Sequence, residues 1–154
     1  MLTEDEKKQI RQEIEQSEHP RAACVEALRI HQAHHGWVSD EDIRELAALL
    51  NMTPDELDAV ATFYPFIFRR PVGRHVILVC DSVSCWVMGY ESLLNRLKER
   101  LGISMGETTR DGRFTLLPVS CIGACDRAPA MMIDRDLHLN LDPEKLDRLL
   151  ERYK

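Results

Sequence analysis

The sequence is short of several features that would announce a function at once. No apolar run approaches the roughly 20 residues that a membrane-spanning helix requires. There is no excess of Lys and Arg: 20 basic against 26 acidic side chains leave a formal charge of −6, which argues against nucleic acid as the main partner. No Gly-x-Gly-x-x-Gly follows a candidate strand and no phosphate loop is present, so nothing suggests that the chain binds a dinucleotide itself. Cys-x-x-Cys is missing, and with it the motif of thioredoxin-type dithiol chemistry. No Ser-His-Asp or Cys-His arrangement stands out, and no paired carboxylates sit in an evident pocket context. Internal repeats and low-complexity stretches are absent. The first residues, Met-Leu-Thr-Glu-Asp-Glu-Lys-Lys, are acidic and polar where a secretory signal would be basic and then apolar, so a cytoplasmic location is expected.

What is present is an ordinary globular composition, 44% apolar and 30% charged over 154 residues, enough for one domain or two small ones. The charge is unevenly placed. Residues 1–72 hold 8 basic and 14 acidic side chains, whereas residues 73–154 hold 12 of each. The first part reads as helices. Thr3-Glu4-Asp5-Glu6 is a capping-box pattern opening a weakly amphipathic segment with Ile10 and Ile14 on one face. Pro20 suits the first turn of a second helix that carries Cys24, Ala27 and Leu28 and ends at Gly36. Ser39 caps a third, with Ile43, Leu46, Ala47 and Leu50 on a helical stripe. Thr53-Pro54-Asp55-Glu56 opens a fourth, leading into Leu57, Val60 and Ala61. Four such helices would pack as a small bundle, although the few apolar positions of residues 3–16 look more like an arm laid on a partner.

After the aromatic run Phe63–Phe68 and the connector Arg69-Arg70-Pro71-Val72-Gly73, the period switches. His75–Val79 is a short β-branched run, read as a buried strand that ends at Cys80. A helix is expected over Tyr90–Leu101, with Leu93, Leu94, Leu97 and Leu101 inward and Gly102 as its cap. Asp111-Gly112 signals a hairpin joining Glu107–Arg110 to a strand over Phe114–Val119. Met131–Asp134 and Leu137–Leu141 read as two more strands, and Asp142-Pro143 opens a last helix with Leu146, Leu149 and Leu150. The expected fold is α+β: a helical bundle over residues 1–72, then a mixed α/β domain of thioredoxin-like size over residues 73–154.

The chemistry is concentrated in the cysteines. Of the five, four form two close pairs, Cys80-x4-Cys85 and Cys121-x3-Cys125, with 35 residues between the pairs. An odd total fits a disulfide framework poorly, and cytosolic thiols stay reduced. Both pairs emerge at strand ends, which can share one edge of a compact sheet. Structural zinc also takes four thiolates, but its knuckles favour two intervening residues. Spacings of four and three fit a wider object with two irons, for which Gly123, Ala124 and Ser82 to Ser84 permit close approach and backbone N–H donors. Spacing thus favours a [2Fe–2S] cluster, with structural zinc and a disulfide as alternatives. It differs from the plant-type ferredoxin run. Cys24, on the apolar face of the second helix, reads as a small buried hydrophobe.

With these pairs placed after a helical segment, the chain resembles the small [2Fe–2S] subunits (the E subunits) in the NADH-oxidising module of bacterial NADH-quinone oxidoreductase, respiratory complex I. Supporting segments include Gly36-Trp37-Val38, Val60-Ala61-Thr62-Phe63-Tyr64, Pro71-Val72-Gly73-Arg74-His75, Gly112-Arg113-Phe114-Thr115-Leu116-Leu117-Pro118 and Pro129-Ala130-Met131-Met132. The resemblance covers nearly the whole chain. It implies a thioredoxin-like ferredoxin domain whose one [2Fe–2S] cluster is held by Cys80, Cys85, Cys121 and Cys125. It implies a flavoprotein partner that carries FMN, the NADH site and its own cluster, and a larger iron–sulfur subunit in the same module. The complex would be peripheral to the inner membrane, and this chain would not insert into it. Relatives in NAD-linked hydrogenases and formate dehydrogenases are one alternative; a zinc-stapled interaction module and a free-standing soluble carrier are others.

Several residues carry a sharper and a blander reading. Trp86 shields the cluster or packs the start of its helix, with equal weight. Arg127 offsets cluster charge or is simply solvated, the latter favoured. His31, His34 and His35 stand at i, i+3 and i+4; with no carboxylate partner visible in the pattern, an exposed face is favoured over a metal site. Phe63–Phe68 reads first as core, with exposure toward a partner as a further option.

Overall fold

The computed structural model describes residues 2–153, and the chain divides into two compact units, one running to Pro71 and the other starting at Val72. The first unit consists of α1 (Glu4–Gln16), a short 3-10 turn (Pro20–Ala23), α2 (Cys24–His35), α3 (Asp40–Leu50) and α4 (Pro54–Phe63). Three of the four helices begin with a reciprocal capping box, Thr3 with Glu6, Ser39 with Asp42 and Thr53 with Glu56. Each box satisfies two backbone amides that the helix start would otherwise leave open. Gly36 and Asn51 close α2 and α3 in the left-handed conformation. The stripes these caps set up meet in one core, where Ile10, Leu28, Leu46, Leu50 and Leu57 are fully buried; burial of each such side chain stabilises by about 1.5–3 kcal/mol. α1 is therefore a member of the bundle and not an arm: Ile10 and Glu6 have no exposed surface, and the helix packs on α2 and the 3-10 turn. One well-placed isoleucine, with Leu2 beside it in the core, suffices for a helix whose apolar face the sequence makes look thin.

The segment that leaves α4 is pinned back onto the bundle by polar contacts. Gln32 accepts from Phe68 N at 2.6 Å and donates to Phe66 O at 2.8 Å, while Arg69 donates to Val38 O and pairs with Asp40 and Asp58. Ile67 is buried, but Phe63, Tyr64 and Phe66 are exposed. The aromatic run is thus core at one position and surface at three.

The second unit contains β1 (His75–Cys80), α5 (Val83–Val87), α6 (Tyr90–Leu101), β2 (Phe114–Val119), β3 (Met131–Ile133), β4 (Asp136–His138) and α7 (Pro143–Leu150). Strand order is β2-β1-β3-β4, with β1 parallel to β2 and the other pairings antiparallel. Central β1 is buried along nearly its whole length, as its unbroken apolar run requires. Ile77 and Val79 join Leu93 and Leu97 of α6 and Leu146, Leu149 and Leu150 of α7 in the core.

Two expected strands are corrected. Glu107–Arg110 forms no strand; it meets β2 through one antiparallel bridge, Thr108 to Thr115, and the backbone bonds Thr109 N to Phe114 O and Leu116 N to Glu107 O. The reason is local: the Thr109 hydroxyl accepts from the amides of Arg113 and Phe114, taking the place of a second ladder rung. Leu137–Leu141 is shortened to Asp136–His138. Asn140 turns left-handed, and the amides of Asn140 and Leu141 are taken by the carbonyls of Arg127 and Pro129.

Candidate metal centre

Parallel pairing creates the site. Because β1 and β2 run the same way, with Cys80 opposite Val119, their carboxyl ends lie side by side and Cys121 follows two residues past the register partner of Cys80. The antiparallel β3 begins at that same end, so that Cys80 N donates to Ala130 O at 3.3 Å. The loop between β2 and β3 must then cross over the sheet end, and it carries Cys121 and Cys125. On the other side Ser82 starts α5, and Cys85 stands in the middle of that helix, not at its first residue.

Cys80 and Cys85 are buried and Cys121 and Cys125 exposed, all as free thiols. Cys121 Sγ and Cys125 Sγ are 3.8 Å apart. Gly123 N donates to Cys121 Sγ at 3.3 Å; its φ of +84°, open to glycine at no cost, turns the amide toward the sulfur. Cys80 Sγ lies 3.5 Å from Ser120 O. Burial, with the hydrogen bond and charge of Cys80 and the charge of Cys125 adding to it, pushes the Cys85 thiol up to about 11, against the Ala130 amide that donates to it. Cys125 is raised too, first by its hydrogen bond to Cys121, against the Ser84 hydroxyl that favours its thiolate. The two pairs therefore feel each other electrostatically. Thiolates gathered at one sheet end call for compensating positive charge.

A tetrahedral zinc site with Zn–S near 2.3 Å needs every sulfur pair at about 3.8 Å. Among the described residues the one group of three or more ligating side chains whose donor atoms all lie within 4.8 Å of one another is Glu6, His31 and His35. No three of the cysteine sulfurs meet that limit. One pair at single-metal spacing, a wider spread across the set and amide donors on the sulfurs fit a binuclear iron–sulfur cluster better than one ion.

Other candidates fall into place around these four. Trp86 is 58% exposed and joins Val83, Val87 and Met88 in an exposed apolar patch on α5; it does not pack the helix start. The Arg127 side chain is 63% exposed and sits 3.7 Å from Asp126, as the solvated reading expects. Cys24 is half-buried against the helical core. The histidines of α2 are corrected: His34 is exposed, but His31 is fully buried. Its carboxylate partners are Glu6 at 2.9 Å and Asp42 at 3.2 Å. In the sequence Glu6 already had an evident task in the capping box of α1, which hid the second one.

The thioredoxin-like [2Fe–2S] ferredoxin family model matches residues 10–154. The chain is 49% identical over 153 residues to the E subunit of the NADH-quinone oxidoreductase of Pseudomonas aeruginosa, covering 99% of this chain and 92% of that one. Its counterpart in Escherichia coli K12 is 50% identical over the same coverage. Among solved structures, an NAD+-reducing [NiFe]-hydrogenase in the air-oxidised state is similar at 31% identity and a TM-score of 0.71, over 85% of this chain and 22% of that chain. The chain belongs to the thioredoxin-like [2Fe–2S] ferredoxins and, among them, to the E subunits of NADH-quinone oxidoreductase.

Proposed function

We propose that this chain is the electron-transfer subunit of an NADH-quinone oxidoreductase, holding one [2Fe–2S] cluster on Cys80, Cys85, Cys121 and Cys125 and exchanging single electrons with the flavin of a partner subunit. The observation that carries the reading is the convergence of both cysteine pairs at one sheet end, with the Gly123 and Ala130 amides aimed at sulfur. When bound, such a cluster takes up and releases one electron at a time.

The protein's contribution is to hold and tune. Cys121 and Cys125 stand 3.8 Å apart, suited to sharing one iron, which leaves Cys80 and Cys85 for the other. The amide N–H groups stabilise negative charge on sulfur. The exposure of Cys121 and Cys125 keeps one edge of the site near the surface, and the apolar patch of Val83, Trp86, Val87 and Met88 borders the same helix as Cys85. A patch of that kind suits the face of a second protein, here the flavoprotein that carries FMN and the NADH site, with a larger iron–sulfur subunit in the same module. No helix among the described residues is long and apolar enough to cross a membrane, in keeping with a place peripheral to the membrane, held by partner subunits on the cytoplasmic side.

Anaerobic purification with iron, sulfide and zinc counts and EPR of the reduced protein tests the ligand set. About two irons and two labile sulfides per chain are expected, with the reduced signal lost on Cys→Ser at each of the four positions and kept in Cys24→Ser. One zinc and no sulfide would replace this reading with a zinc-stapled module. The hydrogenase likeness supports a second reading, the equivalent subunit of an NAD-linked hydrogenase or formate dehydrogenase. Co-purification from native cells separates the two by the partners recovered, and a soluble carrier would bring none.

A further inference from the structure

The helical unit holds a cluster of charged and imidazole groups that electron transfer does not use. His31 has no exposed surface, nor has Glu6. Glu6 Oε1 is 2.9 Å from His31 Nδ1 and 3.1 Å from His35 Nε2, and the donor atoms of all three residues lie within 4.8 Å of one another. The two rings stack with centroids 4.4 Å apart. On the far side of His31, Nε2 is 3.2 Å from Asp42 Oδ2 but off the line of a good hydrogen bond. Thr3 and Ser39 lock the two carboxylates in place through their capping boxes.

Both carboxylates are held ionised. Burial works against the Glu6 charge, but the hydroxyl and amide of Thr3 and the His35 ring outweigh it and bring the group down to about 2. Asp42 is likewise held well below the usual carboxylate range, with burial opposed by Ser39 and by the charge of His31. Glu6 Oε1 is aimed between His31 Nδ1 and His35 Nε2. A divalent cation at that point would take one donor atom from each of the three residues in place of the hydrogen bonds between them. His31 would then present Nδ1 to the metal, with the Asp42 carboxylate 3.2 Å from Nε2 on its far side, where a carboxylate orients a ligating imidazole. His35, whose side chain is 38% exposed, leaves the site open on one side to water. Edges of 2.9 and 3.1 Å between donor atoms need to open only slightly for a metal about 2.0–2.1 Å from each.

We propose that Glu6, His31 and His35 form a metal site for a zinc-class divalent cation, with Asp42 positioning His31. The His-x-x-x-His pair supplies two donors from one face of α2, and Glu6 supplies the third from α1. Two imidazoles and one carboxylate suit zinc or a nitrogen-preferring transition ion and do not suit Mg2+.

The test uses the full chain loaded with its [2Fe–2S] cluster, so that the four thiolates are occupied, with Zn2+ alone as the probe. One saturable equivalent of Zn2+ is expected, undisturbed by a large excess of Mg2+. His35→Gln is the informative variant, because Gln can still donate to Glu6 from a partly exposed position, and it should weaken binding at least tenfold. His34→Gln, on the same helix but outside the cluster, should change nothing. Zinc-edge absorption should give nitrogen and oxygen neighbours at about 2.0–2.1 Å and no sulfur near 2.3 Å. No saturable uptake would mean that the network holds protons only, and the proposal fails. Uptake undiminished in His35→Gln, or a sulfur shell, would place the zinc elsewhere and overturn it as well.

Discussion

At the scale of single residues, the buried cluster of the helical unit shows one side chain serving two tasks. Glu6 closes the capping box of α1 and also faces His31 and His35. Its carboxyl is depressed from 4.5 to about 2 in the folded chain. The stabilisation is therefore complete above about pH 4.5 and is lost as pH falls through 2, an effect on the order of 3 kcal/mol. Amide exchange of the helical unit should show the wild type ahead of Glu6→Gln near neutrality and the gap closing as pH falls from about 4.5 to 2; a constant gap would refute the assignment. At the cysteine site, Gly123 adopts a φ of +84° with open space around a would-be Cβ. Gly123→Ala thus meets strain of about 1–2 kcal/mol and no clash, and relief of that strain turns the amide from Cys121. Loss of an N–H donor disfavours the more negative reduced state, so redox titration should find a lower midpoint potential with iron content retained. Arg127→Ala, by its exposure, should leave the potential nearly unchanged.

At the scale of elements, what the sequence discloses tracks how local the deciding interaction is. The helix starts at Thr3 and Thr53 are legible because a capping box spans four residues and both partners are visible at once. The cysteine pairs are legible for the same reason. The irregular hairpin before β2 is not, since Asp111-Gly112 is a sound turn signal and only the Thr109 hydroxyl decides against a ladder. The buried histidine was hidden by distance: His31 meets Glu6 across 25 positions, and periodicity along α2 says nothing of α1. Contacts of this kind also predict where elements resist change. A Cβ on Gly73 would stand 2.9 Å from Gly112 O and 3.1 Å from the Arg113 carbonyl, where backbone cannot yield cheaply. Gly73→Ala should cost the second unit about 1–3 kcal/mol by denaturant titration, whereas Thr53→Ala, which removes one cap, should cost the first about 1 kcal/mol.

At the scale of the whole molecule, the two units differ in charge. The net −6 lies in residues 1–72, and residues 73–154 are balanced. The apolar patch on α5 and the exposed Phe63, Tyr64 and Phe66 offer uncharged surface on each unit. With the proposed flavoprotein as partner, Trp86→Ala should weaken association by more than about 1 kcal/mol while the cluster's EPR signal and iron content stay intact; unchanged association would move the interface off α5. If the acidic unit also takes part, association should slow as ionic strength rises, which stopped-flow mixing of the two subunits would register.

The parallel pairing of β1 with β2 also sets a schedule. Parallel strands need a long crossover, and here Cys125 follows Cys85 by 40 positions. At about 5–20 residues per second of synthesis, the earlier pair waits roughly 2–8 s on the ribosome before the later one exists. Neither pair can complete a binuclear centre alone, and the later one reaches the earlier only when β2 has docked beside β1. With the proposed ligand set, delivery of iron and sulfide would follow the closing of the sheet, and a chain whose strands have not yet paired would have nowhere to receive them.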